Sequence, residues 1–546
     1  MVSTALAAAL VLPVAPPATA GELTNLSLGA DYQVSVGWPD DGDEATQQEQ
    51  YPDSGGELTD GEFAEVDYTS PGWVGFLKQT SRSITIDLGR VTTVRKLSTD
   101  FLFNHGAGVD LPATVDYALS LNGQTFRTVA SPAGDNVGTV NESRAVEARI
   151  RPTLARYLQV TFDVATWGFV DEITALGERH PTPGAQPPRG PIDEGVRDSC
   201  QADPAYLEQG TPEVNGVQNA FLAYTYDSTG ESGEVGTWRE DTLLPVITHT
   251  DADGKPDDWL FDTVLFMAGG SELDAYPTRA GWEDLLNRLF EPGQNVDALD
   301  TVTASAAAEL DAPDRRTKLM LPIPNPVPTH DKPWGTIDGR ELDLNPERVG
   351  EETSAANRRA VADWYIAQVM DRLEQLGSDH LDLVGFYWMR EAIAPNSSDS
   401  ALSNRISDTV HSLPGDLKLY WIPYYQAAGY QHWRSYGFDA SMMQPNYFFN
   451  DDLPAGDDSR LLSTTELARC TGQGLEIEGD QAMLTDADAR EKFLQYLDVY
   501  QRTGGDQALK SYYWGTRDTF IGTVDSADPE VRGAYDAVHD FIAESR

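Results

Sequence analysis

Three glutamates lie at the ends of two apolar runs of the sequence. The run GFYWMRE ends in Glu391, and the run GLEIEGD carries Glu476 and Glu478. Cleaving a glycosidic bond requires one carboxylic acid to protonate the leaving oxygen and a second carboxylate to attack the anomeric carbon or activate water. We therefore assign Glu391 as general acid/base and Glu478 as nucleophile or base. Because side chains alternate along a strand, Glu476 shares a face with Glu478 and is the alternative for that role.

The same glutamates also allow a structural interpretation. Glu391 directly follows Arg390, so it would form an ion pair with this or another arginine. The glutamates of GLEIE would then face water on an ordinary strand.

The elements that must position these residues are eight apolar runs alternating with helix-like segments, which is typical of βα units around a parallel sheet. The strands are predicted at 217–226, 261–268, 318–324, 381–389, 417–425, 438–449, 474–478 and 509–515. The clearest helices are predicted at 354–377 and 487–504. This pattern favours a (β/α)8 TIM-like barrel, whose active sites lie at the carboxyl ends of the strands. A doubly wound open sheet is the alternative.

Aromatic and polar residues gather near the same strand ends, where they suit the faces and hydroxyl groups of sugars. The predicted substrate-binding aromatic residues are Tyr226, Trp334, Tyr387, Trp388, Trp421, Tyr424, Tyr425, Tyr447, Tyr513 and Trp514. The predicted polar contacts are Asp227, Asn325, His330, Arg390, Gln444 and Asn446. A barrel core usually prefers Val, Ile and Leu, so this excess of rings predicts a sugar cleft, with part of the rings in ordinary packing.

The N-terminal region has a different pattern. Its alternating runs lie at 83–90, 115–123, 126–130, 156–163 and 169–177. Such runs, broken by Gly, Pro and Asp, predict an antiparallel β-sandwich over residues 21–177. The Pro- and Gly-rich stretch at 178–194 predicts a linker, and the catalytic barrel then spans 195–546.

The first twenty residues are apolar and end in Ala-Thr-Ala, which predicts a signal peptide at 1–20 and a secreted, extracellular protein. A disordered Ala-rich tail is the alternative. The two cysteines, Cys200 and Cys470, are predicted to form a disulfide in that oxidising compartment, with two buried free thiols as the alternative.

The charge of the chain limits its partners. Asp and Glu total 87 against 39 Lys and Arg, a net charge of -48. Such a field disfavours nucleic acid and anionic membranes, so we expect no binding to either. The expected partner is a neutral or amino-sugar-containing polysaccharide, bound by a monomer.

The N-terminal region resembles the discoidin-like, coagulation-factor-type family of galactose-binding jelly-roll sandwiches. The resemblance lies in Asp87-Leu88-Gly89, in DYALSLNGQTFRTVA and in ARYLQV with the later Asp171-Glu172. It implies a module that binds sugars, lipids or proteins, or that acts as a spacer. Its candidate sugar contacts are Trp38, Trp73, Phe76 and Trp167, and we expect at least two of these in the core.

The barrel half resembles a bacterial family known as domain of unknown function 4855, through PIPNPVP with a later WG, through LVGFYWMREAI and through the acids of GLEIEGD. The resemblance covers nearly all of 195–546. It implies a secreted barrel from glycan-degrading bacteria, often beside sugar-binding modules, and no particular substrate. Carboxyls from strands four and seven are also the placement used by many retaining glycosidases of this fold.

The expected function is therefore an endo-acting glycoside hydrolase, with a non-catalytic glycan-binding adhesin or a polysaccharide lyase as alternatives. Metal-dependent hydrolysis is disfavoured because the eight histidines are scattered, without HxH or HExxH. No GxSxG elbow indicates a serine hydrolase. The acidic loop at 250–259 fails the EF-hand pattern and predicts a turn. We expect no metal and no cofactor.

Overall fold

The computed structural model describes residues 23–36, 51, 53–77, 81–164, 166–196, 203–225, 236–268 and 277–545. Within these ranges an antiparallel sandwich precedes a closed parallel barrel. The predicted signal peptide lies outside the described residues, as do Trp38, Cys200, Tyr226 and Asp227. No helix among the described residues is long and apolar enough to cross a membrane.

Nine strands build the sandwich, in the order β1-β8-β4-β7-β5-β6-β9, with β2 paired to β4 and β3 to β8. They are β1 Thr24–Asn25, β2 Tyr32–Val36, β3 Val74–Leu77, β4 Arg82–Phe103, β5 Val115–Ser120, β6 Phe126–Ala130, β7 Glu142–Phe162, β8 Trp167–Glu178 and β9 Ile192–Asp193. All five predicted runs coincide with strands, although the runs 115–123 and 156–163 extend past the ends of β5 and β7. The long strands β4 and β7 pair antiparallel, and their inward residues, such as Ile84 and Val160, are fully buried.

The predicted linker, 178–194, runs back along the sandwich. The backbone N–H of Leu154 donates to the carbonyl of Gln186 at 2.8 Å, and β9 pairs with β6. This stretch is therefore bonded to the sandwich, while the exact domain bounds stay a prediction.

Eight parallel strands close the barrel in the order β10-β13-β14-β17-β18-β19-β20-β21. They are β10 Asn219–Thr225, β13 Thr263–Ala268, β14 Thr317–Ile323, β17 Leu381–Trp388, β18 Lys418–Trp421, β19 Ala440–Met443, β20 Gly474–Glu478 and β21 Lys510–Tyr513. The eight predicted strands are confirmed, and the open sheet is not formed. Two hairpins are added, β11 Thr248–Thr250 with β12 Pro256–Trp259 and β15 Gly335–Ile337 with β16 Arg340–Leu342. The first contains the predicted turn, in which Asp251 accepts the N–H of Lys255 at 2.9 Å.

Ten α-helices lie in the described part of the barrel region. They are α1 Glu240–Ile247, α2 Arg279–Leu289, α3 Asn295–Glu309, α4 Pro346–Val349, α5 Glu351–Leu376, α6 Ser398–His411, α7 Ser459–Thr471, α8 Ala487–Thr503, α9 Arg517–Val524 and α10 Pro529–Glu544. The two predicted helices correspond to α5 and α8. Between β18 and β19 the connection is a 3₁₀ helix, Tyr430–Tyr436, so the alternation of strand and α-helix is broken there.

Candidate active site

Strand β20 directs two glutamates into the barrel. Glu476 and Glu478 alternate with Leu475 and Ile477, and period-two geometry puts the glutamates together on one face. Both glutamates are buried, and both line one pocket. Glu478 is the last residue of the strand and therefore lies nearer its carboxyl end.

This pocket has a volume of about 180 Å³. It is lined by Leu222, Tyr224, Met267, Tyr387, Glu391, Ile422, Gln444, Asn446, Phe449, Glu476, Glu478 and Tyr513. Glu391 enters from the loop that follows β17 and so faces residues of β20 across the barrel mouth. The carboxyls that the sequence predicted to meet do share one cavity.

Three donors surround the carboxyl of Glu478. The hydroxyl of Tyr496, on α8, donates to Oε2 at 2.6 Å. The backbone N–H groups of Asn446 and Tyr447 also hydrogen-bond to it. Burial raises the pKa of Glu478 to about 7, with the Glu391 charge adding to the rise and the three hydrogen bonds opposing it.

The backbone that supplies these N–H groups is unusual. Asn446 has a φ of 53°, in the left-handed region that non-glycine residues seldom adopt. Such conformations persist where surrounding structure holds them, and they cluster at functional sites. Here the turn brings two consecutive N–H groups toward Glu478.

Glu476 lies deeper in the barrel. The hydroxyl of Ser511 donates to its Oε2 at 2.7 Å, and the hydroxyl of Tyr500 donates to its backbone carbonyl at 2.6 Å. Burial and the charge of Glu478 raise the pKa of Glu476 well above its usual value.

Glu391 has a simpler environment. Gln444 Nε2 donates to its Oε1 at 3.1 Å. Desolvation by the surrounding protein atoms raises the pKa of Glu391 although the residue is exposed, and this hydrogen bond partly opposes the rise. Arg390 does not pair with it, because its Nε lies 3.1 Å from Asp399, so no ion pair of Glu391 occurs among the described residues. The structural interpretation of Glu391 as an arginine partner is therefore not supported.

The structure brings several predicted residues together at this pocket. Besides the glutamates, the pocket wall contains Tyr387, Gln444, Asn446 and Tyr513. Tyr447 contributes its backbone N–H rather than its ring. Tyr424 is close enough for the charge of Glu391 to raise its pKa, although burial is the larger cause.

Eight further predicted substrate contacts lie outside the pocket wall, and five of them are rings in the core. Trp334 packs edge-on against Trp282, Trp421 stacks on Phe438, Tyr425 hydrogen-bonds Ser463, and Trp514 packs on Phe520. Trp388 is fully buried as well. Asn325 accepts a hydrogen bond from Arg358 at 3.3 Å, while the carbonyl of His330 accepts one from Arg348 at 2.8 Å. Arg390 turns to Asp399. These eight residues do not line the pocket, and a contact with substrate stays a prediction for each of them.

Several residues of the site were missed by the sequence prediction. Tyr496 and Tyr500 are four apart on α8, which places both on one helix face toward β20. Ser511 is the small polar residue within the aromatic run LKSYYWG. Phe449 lines the pocket although nearly half of it is exposed, at 46%. The helical spacing of the tyrosines was the available signal.

In the sandwich, two of the four candidate sugar contacts are core residues. Trp73 is buried and donates to the carbonyl of Glu65 at 2.8 Å, and Phe76 packs edge-on against Phe162. Trp167 is half-buried and lines a pocket of about 260 Å³ with Tyr51, Tyr68 and Phe169. Trp167 therefore stays a candidate sugar contact.

Cys470 is in a disulfide, and since Cys200 lies outside the described residues the predicted pairing stays a prediction. In the described ranges no group of three or more His, Cys, Asp or Glu residues has the arrangement of a metal site.

The model of a family described as a domain of unknown function (DUF4855) matches residues 219–540. No curated protein matches the chain. CpGH89CBM32-5 from Clostridium perfringens, solved in complex with GalNAc-β-1,3-galactose, is 16% identical over 28% of this chain and 98% of that chain, with a TM-score of 0.21. A chitosan-binding module from a Paenibacillus chitosanase/glucanase is 17% identical over 28% and 99%, with a TM-score of 0.19. The GH29 fucosidase of Ruminococcus gnavus in complex with fucose is 17% identical over 29% and 27%, with a TM-score of 0.20.

Proposed function

The chain belongs to the family described as a domain of unknown function (DUF4855), and we propose that it is a glycoside hydrolase whose barrel cleaves a polysaccharide with two glutamates. The observation that carries this proposal is the convergence of Glu391, Glu476 and Glu478 in one pocket at the carboxyl ends of the strands. Oppositely placed carboxyls are what glycosidic cleavage requires.

The environments of the carboxyls suggest their roles. Glu478, with three hydrogen-bond donors, is the group best supported as a carboxylate, so it acts as nucleophile or as base. Glu391 lies in the same pocket with one amide donor, and we assign it the proton for the leaving oxygen, a role that its raised pKa favours. Glu476 lies deeper on the same strand face and is the alternative for the role of Glu478.

The finer assignments belong to the same proposal. The barrel is of the (β/α)8 type, and the protein is secreted and acts within polymer chains as a monomer. Tyr387, Phe449 and Tyr513 offer ring surfaces to sugar faces, while the sandwich holds glycan at Trp167. The net charge of -48 favours a neutral or amino-sugar-containing polysaccharide, including galactose- or galactosamine-containing polymers.

The test is reducing-end release by the wild type and Glu391→Gln from galactan, galactomannan, chitosan and galactosaminan. We expect release from at least one polymer by the wild type alone. Products with an unsaturated sugar end would instead identify a lyase. Binding of a polymer without release by either protein would identify a non-catalytic adhesin.

A further inference from the structure

The sandwich is fixed to the barrel loop that carries Glu391. Asn136 Nδ2, in the sandwich, donates to the carbonyl of Pro395 at 2.7 Å. In return, Asn396 Nδ2 donates to the carbonyls of Ala113 at 2.9 Å and Gly134 at 3.0 Å. These contacts fasten the sandwich to the end of the loop that follows β17.

A second cavity, of about 380 Å³, lies where the two domains meet. Its sandwich wall is formed by His105, Gly106, Asn136, Gly138 and Thr139. Its barrel wall includes Thr329, Arg390 and Asp399. This volume falls within the range of about 300–1,000 Å³ that is typical of small-molecule sites.

The charged groups of this cavity are largely compensated. Asp399 is held by Arg358 at 2.5 Å and by Arg390 at 3.1 Å, and these arginines keep its pKa below the usual range although burial opposes them. His105 Nδ1 lies 2.8 Å from Asp110, a hydrogen bond that raises the pKa of the histidine. The cavity therefore offers hydrogen-bonding groups without a strong net charge, which suits an uncharged, hydroxyl-rich ligand.

The cavity is adjacent to the candidate active site. Arg390 and Glu391 are consecutive residues whose side chains line different cavities, Arg390 the one between the domains and Glu391 the one in the barrel. Their Cα atoms are therefore only about 3.8 Å apart. Tyr424 is close to both residues, since the charges of Glu391 and Arg390 both affect its pKa. Its side chain also hydrogen-bonds to Thr166 of the sandwich.

We propose that the interdomain cavity is a second subsite, in which a neutral, hydroxyl-rich sugar unit of the polymer contacts both domains while a neighbouring glycosidic bond lies at Glu391. This inference rests on the proposed function and adds a place where the sandwich takes part in substrate recognition. It makes the sandwich one wall of an extended cleft rather than a separate tethered module.

The test fills the cavity from each wall, with Thr139→Trp on the sandwich and Thr329→Trp on the barrel. The control is Thr301→Trp, an exposed position on α3. For the polymer that the wild type cleaves, kcat/KM is measured on the polymer and on its disaccharide. We expect both cavity variants to lose roughly tenfold in kcat/KM on the polymer, about 1.4 kcal/mol, and to match the control on the disaccharide. Equal polymer activity of all three variants would overturn the subsite.

A second readout separates failure of the subsite from failure of the hydrolase proposal. Affinity electrophoresis in gels containing galactan, chitosan or galactosaminan measures binding without catalysis. If the wild type releases no reducing ends but is retarded by a polymer, loss of retardation in Thr139→Trp and Thr329→Trp supports the cavity as a glycan site. Undiminished retardation refutes it, and absence of both cleavage and retardation refutes both proposals.

Discussion

The sandwich and the barrel each bury a pair of neighbouring acids, and the two pairs behave differently. In the sandwich, Asp171 and Glu172 are consecutive on β8, so their side chains leave opposite faces of the strand. Each accepts a loop N–H, Asp171 from Ala64 at 2.8 Å and Glu172 from Gly61 at 3.0 Å. They hold the loop of residues 60–64 in place.

In the barrel, Glu476 and Glu478 are two residues apart and therefore share a face and a cavity with Glu391. Burial raises the pKa of Glu172 to about 7, the same as that of Glu478. A raised pKa alone therefore does not separate the two regions. The barrel pair is distinguished by the cavity that it lines and by the carboxyl of Glu391 in the same cavity.

The largest expected effect separates the two barrel glutamates. Glu478→Gln removes the carboxylate that attacks or activates water, so we expect kcat/KM to fall roughly 1,000-fold or more. Glu476→Gln keeps a side-chain oxygen that can accept the hydrogen bond from Ser511, so we expect a smaller loss, of about tenfold. Steady-state kinetics on the cleaved polymer measures both. The reverse order would exchange the two roles.

The next effect concerns the tyrosine that supports Glu478. Tyr496→Phe removes the donor to its carboxylate, and a hydrogen bond to a charged group contributes about 1.5–3 kcal/mol, so we expect kcat to fall about 10- to 100-fold. The acid limb of the kcat/KM profile should also move to higher pH, because that hydrogen bond lowers the pKa of Glu478. Tyr500→Phe is the matched control, since its hydroxyl donates to the backbone carbonyl of Glu476 rather than to a carboxylate. An unchanged pH profile of kcat/KM in Tyr496→Phe would show that Tyr496 does not influence the catalytic carboxylate.

A third prediction concerns stability. The pKa of Glu478 is about 7 in the folded protein, whereas the ordinary value for Glu is 4.5. Because folding favours the protonated form, Glu478 stabilises the fold most below about pH 4.5. This contribution is lost as the pH rises to about 7. Glu478→Gln abolishes that dependence. The free energy of unfolding of the variant, relative to the wild type, should therefore rise between pH 4.5 and pH 8 in denaturant titrations. Glu172→Gln should show the same sign, and parallel curves for the wild type and Glu478→Gln would contradict the buried-carboxyl account.

The smallest effect involves Gln444. Gln444→Leu removes the hydrogen bond that lowers the pKa of Glu391, so the alkaline limb of kcat/KM should move to higher pH. The activity below that limb should change little. Movement of the limb to lower pH would show that another group controls it.

Much of the fold could be predicted from the sequence, because parallel strands that are buried on both faces appear as apolar runs. All eight barrel strands were located in this way, and helices α5 and α8 by their 3.6-residue period. The connection between β18 and β19 was not foreseen as a 3₁₀ helix. Glycines in the left-handed region flank it, Gly429 at φ 78° and Gly437 at φ 86°.

The site could be predicted only in part, because residue types indicate strand ends but not the direction of each side chain. Glu391 and Glu478 could be found because strand ends meet at one rim, a rule that needs no coordinates. Whether a ring such as Trp421 or Trp514 points into the pocket or outward under a helix depends on a register that the residue types do not specify. Tyr496 reaches the site from behind, through the packing of α8 on β20, and only the tertiary structure shows that approach.

The most direct test of the central claim compares one glutamate from each region, Glu391 of the barrel pocket and Glu172 of the sandwich. Reducing-end release is measured for the wild type, Glu391→Gln and Glu172→Gln on the same polymer. We expect the wild type and Glu172→Gln to release sugar ends at equal rates and Glu391→Gln to stay at the background rate while still binding the polymer. Full activity of Glu391→Gln would contradict the assignment of the barrel pocket as the catalytic site.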